Sequence, residues 1–250
     1  MSDFNRDYAR TAAASAADMA VDAGLRAFML GVYNKVALGL VLSAAMAYLT
    51  GAYPPVRDLM FQTHPNGAIG LSVLGTVIAF APLAILLFSG FVMKSITPRS
   101  SGIIYWSIVT LIGASLGTVV LLYSGQSIAT TFMVTAAAFG SLSLVGYTTK
   151  RNLDGFGSFL VMGLFGLIIA MVVNMFLASS GLAFVISCAG VLIFAGLIAY
   201  DTQRLKMTYY QLGGNGQALS VATNYGALSL YLDFINLFRF LLYFMGGARR

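Results

Sequence analysis

Apolar residues along this chain gather into seven long stretches, each bounded by a turn-forming or charged break. They cover 28–51, 69–92, 103–123, 129–148, 156–178, 181–203 and 219–245. A helix needs about 20 apolar residues to cross the hydrocarbon core of a bilayer, and each stretch meets that length. The breaks are chemically explicit: Pro54-Pro55, Thr97-Pro98, Ser124-Gly125, Lys150-Arg151-Asn152, Ser179-Ser180-Gly181 and Gly213-Gly214-Asn215-Gly216. The pattern predicts an all-α fold, a polytopic membrane helix bundle. A tail over 1–26 would precede a single transmembrane domain over 27–250. Glycines recur inside the stretches, such as Gly113 and Gly117 four apart. Small residues at that spacing let helices approach closely in lipid, so packing is their expected role.

Composition removes the soluble alternative. Of 250 residues, 59% are hydrophobic and only 9% charged, with a mean hydropathy of +0.86. A soluble domain carries roughly 25% charged residues to wet its surface. The tail mixes Asp3, Asp7, Asp18 and Asp22 with Arg6, Arg10 and Arg26 among alanines, a composition suited to a frayed or amphipathic helix. It lacks the early apolar core of a signal peptide. Ala45-Met46-Ala47 resembles a cleavage site, but after so long and acidic a leader the first apolar run reads as retained.

Charge predicts an orientation. Basic residues fall in the tail, in loop 93–102 (Lys94, Arg99), in loop 149–155 (Lys150, Arg151) and after the sixth stretch (Arg204, Lys206). Loop 52–68 holds only Arg57, offset by Asp58, and loops 124–128 and 179–180 hold none. Every second loop is basic, which predicts a cytoplasmic N-terminus. The seventh stretch is in tension with this rule. A full crossing sends Arg249 and Arg250 to the far side, while a re-entrant segment returns them; its length favours crossing, so seven helices are expected. The net charge of +6 is dispersed, with no basic stripe interleaved with aromatics, so nucleic acid is not an expected partner.

The chemistry-bearing residues are few. Cys188 and His64 are each the only one of their kind, so an internal disulfide is impossible and a zinc site is not expected. Cys188 in VISCAGVL reads as a packed small hydrophobe and His64 in QTHPNG as solvated. All eight acids are aspartates, and two of them fall inside apolar stretches: Asp201, ending GVLIFAGLIAYD, and Asp233, within ALSLYLDFINLF. Ionisable groups at membrane depth are costly and mark function by default. For Asp201 a boundary ion pair with Arg204, three residues on along the same helix face, is an equal reading. Asp233 has no Lys or Arg three or four positions away, and Asn236 is the polar neighbour expected on its face. A hairpin symmetric about the turn at 213–216 sets Asp201 opposite Ala227, one to two helical turns from Asp233. Two carboxylates in one dry site share a proton rather than both ionising, and such a pair titrates as a unit. Once ionised they repel one another or attract a hard cation. Oxygen ligands suit Ca²⁺, although two carboxylates fall short of a cage of six to eight oxygens, which fits weak, transient binding.

AYDTQ around Asp201 and ALSLYLDFINLFRFLL around Asp233 closely resemble the Bax inhibitor (transmembrane Bax inhibitor motif) family. TFMVTAAAFGSLSLVGYTTKRNL and the polar Asn174 in MVVNMF look like its bacterial branch. The resemblance implies six transmembrane helices around a seventh central one, in the bacterial inner membrane. It also implies a pH-sensitive calcium leak governed by a pair of aspartates, whose matching positions are Asp201 and Asp233. A basic latch from the second helix belongs to the same picture, for which this sequence offers Lys94 or Arg99. No enzyme activity and no cofactor are expected. The expected partners are the bilayer, Ca²⁺ or other cations, and membrane proteins such as a membrane protease.

Three rival readings draw on the same residues. A non-transporting stress-response regulator that binds membrane proteins or a membrane protease would keep the aspartates for helix packing alone. An intramembrane aspartyl protease also uses a Tyr-Asp pair, as in Tyr200-Asp201, but its second aspartate follows Gly-x-Gly, whereas Asp233 follows Leu230-Tyr231-Leu232. A membrane serine protease needs a base for its nucleophile, and the lone His64 lies in a loop.

Overall fold

A computed structural model describes residues 2–63, 69–92 and 96–246, with side chains for 23–62, 70–89 and 96–246. His64, Lys94, Arg249 and Arg250 lie outside the described residues. The helices are α1 (Ser2–Ala52), α2 (Pro54–Met60), α3 (Val73–Val92), α4 (Pro98–Ser115), α5 (Gly117–Leu122), α6 (Gly125–Thr148), α7 (Asp154–Leu177), α8 (Ser180–Leu212) and α9 (Gly216–Met245). Six helical segments are long and apolar enough to cross a membrane: Ala23–Ala52 of α1, α4 continued by α5, and each of α6 to α9. The 20 residues of α3 rise about 30 Å, the thickness of the hydrocarbon core. Each of the seven apolar stretches is therefore a helix.

The breaks work as expected from their side chains. Thr97 and Ser100 form a reciprocal capping box ahead of Pro98. Ser124, Ser179 and Asn215 each accept a backbone N–H in the first turn of α6, α8 and α9, satisfying donors that the helix itself cannot. Gly213 and Gly214 take φ of 56° and 82°, left-handed values that cost glycine little. Asn174, polar within an apolar run, is explained by the end of α7: its side-chain oxygen accepts from the Ser179 N–H at 3.1 Å, beside Ala178 at φ 47°.

Three details depart from the sequence pattern. Residues 69–71 form a strand, β2 (Ile69–Leu71), instead of beginning the second helix. It pairs antiparallel with β1 (Phe61–Thr63), with Phe61 opposite Leu71, so the loop after the first crossing holds a short helix and a hairpin. Arg57 and Asp58 within it form an exposed ion pair at 2.9 Å. The third crossing begins at Pro98 and is interrupted at Leu116. There α1 presses closely on α4: a Cβ on Gly113 would lie 2.6 Å from the Ser43 Cα, and the Thr50 hydroxyl donates to the Ala114 carbonyl at 2.9 Å. The sixth helix also runs past 203 to Leu212, carrying Arg204 and Lys206 on a continuous rod.

The seventh helix, α9, is unbroken over 30 residues, about 45 Å at 1.5 Å per residue, so it is long and apolar enough to cross as one rod, without the break that a re-entrant segment needs. It packs against α1, α4, α6 and α8, and Leu230, Tyr231, Phe234 and Leu237 are almost wholly buried. This is the central helix of the bundle. By contrast α7 exposes Phe159, Met162, Phe165, Ile169, Met175 and Phe176, a surface suited to lipid and not to water.

Candidate functional site

The tight glycine turn sets α8 and α9 side by side and fixes their register. Asp201 on α8 meets Ser229 on α9, whose hydroxyl donates a short hydrogen bond to Asp201 Oδ2. The register thus lies two residues beyond the symmetric hairpin that pointed to Ala227. That offset matters because Ser229 and Asp233, four apart, lie on one face of α9. Asp201 is accordingly within electrostatic and hydrogen-bonding reach of Asp233 as well. On the other side α6 closes in: a Cβ on Gly146 would run into the Ala199 carbonyl oxygen and sit 2.9 Å from the Ala199 Cα.

Both carboxyls are withdrawn from the surface, with Asp201 9% and Asp233 6% exposed. Asp233 Oδ2 has no hydrogen-bond partner among the described residues, which is costly for a buried polar atom. The pair stands between two cavities. One, of about 840 Å³, is bordered by α3, α5, α7, α8 and α9 and includes Asp201, Asp233, Asn236, Arg239 and Tyr243 in its lining. The other, of about 250 Å³, runs toward the α8–α9 turn past Thr208, Ala222 and Tyr225. Both share Asp201, Arg204 and Ser229. A third, of about 490 Å³, takes over at Thr208 and Ala222 and reaches Asn215 and Gln217 at the turn itself.

Arg204 and Asn236 both stand beside the aspartate pair. Arg204 is exposed and makes no ion pair with Asp201; among the described residues the ion pair within 4.0 Å is Arg57–Asp58. Ser229 is the hydrogen-bond partner of Asp201, while Arg204 acts on it through its charge. Asn236 lines the larger cavity but donates to the Leu232 carbonyl of its own helix at 2.9 Å, leaving Asp233 without its help. Arg99 is exposed in the first turn of α4 and borders neither cavity at the pair. Among the described residues no cluster of three or more His, Cys, Asp or Glu forms, so the carboxylates remain two.

Ser229, Lys35 and Arg239 escape the sequence reading. Ser229 is legible as the residue four before Asp233. Lys35 and Arg239 carry the same signal as the two aspartates, a charge inside an apolar stretch. The Lys35 amino group donates to Asn224 Oδ1, and Asn224 in turn donates to Ser101 Oγ at 2.8 Å, which ties α1, α4 and α9 together. Arg239 lines the larger cavity.

Residues 25–250 match the family described as "Inhibitor of apoptosis-promoting Bax1". A protein of Caulobacter vibrioides is 62% identical over 249 residues, covering 100% of both chains. A protein of Rickettsia prowazekii, RP147, is 44% identical, covering 97% of this chain and 99% of its own. The inner membrane protein YbhL of Escherichia coli K12 is 38% identical over 228 residues, covering 91% of this chain and 94% of its own. With six apolar helices besides the aspartate-bearing α9 and a family match that runs from the first crossing to the last residue, this chain is a membrane protein of the Bax inhibitor family.

Proposed function

We propose that the protein is a pH-sensitive, calcium-permeable leak channel of the bacterial inner membrane, gated by Asp201 and Asp233. One observation carries this reading: two interacting carboxyls, one with an unpartnered oxygen, stand where cavities from the two ends of α9 meet. Among the described residues these are the acids buried in the crossing helices. With a proton shared between them, the two carboxyls attract, α8 and α9 stay together and the junction is closed. With both ionised they repel one another and present oxygens to a passing cation. Two carboxylates bind Ca²⁺ weakly, which suits passage and not storage. The cytoplasmic N-terminus predicted by the basic loops makes the α8–α9 turn the inner mouth.

The test is Ca²⁺ flux into liposomes across pH, with wild type and Asp233→Asn compared at equal protein content. Flux that rises as pH increases, with the rise abolished in Asp233→Asn, supports the channel. A folded wild type that carries no Ca²⁺ at any pH overturns it and favours a non-transporting regulator that binds membrane proteins such as a protease.

A further inference from the structure

A separate cavity of about 420 Å³ lies between α1 and α6 and shares no lining residue with those around the aspartates. Most of its lining is apolar, but it holds one cation, Arg26, and three hydroxyl-bearing residues, Tyr33, Ser143 and Tyr147. Arg26 is exposed and makes no ion pair among the residues whose side chains are described. Ser143 is 5% exposed, and its Oγ is buried without a hydrogen-bond partner. The Tyr33 hydroxyl reaches towards Ser143 and Thr202 without satisfying it.

The depths of these groups follow from the helices. The rings of Tyr33 and Phe139 meet edge-on at 6.4 Å, which sets α1 and α6 level at that point. At about 1.5 Å per residue, Arg26 lies roughly 10 Å back along α1 from the contact and Ser143 roughly 6 Å along α6 in the same direction. The donor hydroxyl is therefore several ångströms deeper in the membrane than the guanidinium. Outside the lining, Lys206 Nζ donates to the Tyr147 carbonyl at 3.1 Å and sits 5.4 Å over its ring, which leaves Arg26 as the cation of the groove.

We infer that this groove binds one anionic glycerophospholipid, with its phosphate on Arg26, an ester carbonyl accepting from Ser143 Oγ, and an acyl chain between α1 and α6 beside Tyr33, Phe139 and Gly140. The order of the groups matches the order in the lipid, where the ester lies a few ångströms below the phosphate and the chain below that. Arg26 at the shallow end favours a net negative headgroup, as basic groups between membrane helices do. This site stands independently of the channel reading.

Gly140 offers a direct test, because an added Cβ there meets nothing within 4 Å and a large side chain fills the groove without displacing a neighbour. Gly166 on α7 is equally open and serves as the control. Native mass spectrometry of the purified protein with added phosphatidylglycerol or phosphatidylcholine reads occupancy directly. The wild type should retain one phosphatidylglycerol with a preference of about fivefold over phosphatidylcholine, the selectivity expected of one cation near an anionic lipid. Arg26→Gln should lose that preference, Arg26→Lys should keep most of it, and Gly140→Phe should lose the bound lipid altogether. Gly166→Phe should behave as wild type, and glycerol 3-phosphate, which has the headgroup charge without chains, should not displace the lipid. Equal lipid retention by Gly140→Phe and Gly166→Phe, or wild-type preference in Arg26→Gln, overturns the site. Because retention is scored only on monodisperse protein of unchanged thermal midpoint, a folding defect is not mistaken for lost binding.

Discussion

Ser229 donates its hydroxyl to Asp201 across the α8–α9 interface, on the same face of α9 that carries Asp233 one turn further on. Ser229→Ala removes that donor and leaves Asp201 without its hydroxyl partner. If the aspartate pair governs the flux, the flux–pH curve of Ser229→Ala should depart from that of wild type, since a buried polar group that loses its partner is costly. Ser229→Thr, which keeps the hydroxyl, should stay near wild type. An unmoved midpoint in Ser229→Ala separates this hydroxyl from the gate.

Asp201 and Asp233 lie within electrostatic reach of one another, and interacting sites titrate together. Asp201→Asn and Asp233→Asn should each flatten the pH dependence of Ca²⁺ flux, and the double substitution should add little to either, as expected when two residues form one unit. Liposome flux measured from acid to alkaline pH on all four proteins gives the coupling. Full additivity, or four identical profiles from folded protein, is incompatible with a paired gate.

Gly113 lets α1 reach α4, and a Cβ there would fall 2.6 Å from the backbone of Ser43. Gly113→Leu should therefore destabilise the bundle by roughly 1–3 kcal/mol, the usual cost of overpacking a filled interior. Gly166→Leu, with nothing within 4 Å of the new Cβ, should melt as wild type. Thermal unfolding in detergent compares the two, and equal midpoints would mean that the α1–α4 contact yields without cost.

The basic ends of the helices gather at one end of the bundle. Gln203 Nε2 donates to the Arg151 carbonyl at 2.8 Å and Lys206 to that of Tyr147, so loop 149–155 sits against the basic turn of α8. If that end faces the cytoplasm, single cysteines at Gln126 and Asn152, both exposed and introduced in a Cys188→Ser background, should differ in intact cells. An impermeant thiol reagent should label position 126 and spare 152. The reverse pattern inverts the orientation, and equal labelling removes the topology altogether.

Crossing helices, their breaks and the two buried acids were legible in the chain because each rests on local chemistry. A run of 20 apolar residues has few other fates in a bilayer, and Ser, Thr, Asn, Pro and Gly act on the backbone within a few positions. Thus the breaks at Thr97-Pro98, Ser124-Gly125 and Gly213–Gly216 stand between helices in the structure, although the helices begin three to five residues before the apolar stretches do. Asp201 and Asp233 stood out because a charge in an apolar stretch is visible without any contact. The hairpin at 61–71 and the interruption at Leu116 were not legible, since the first depends on pairing of three-residue strands and the second on pressure from α1. The partner of Asp201 was also a tertiary decision. Arg204 was near in sequence, but the left-handed turn at Gly213-Gly214 and the packing of α8 on α9 set a register that no local pattern specifies. That register brought Ser229 to one carboxyl, left an oxygen of the other bare, and opened cavities on both sides of the pair. Sequence determined which groups were buried at membrane depth; only the packing of one helix against another decided which of them meet.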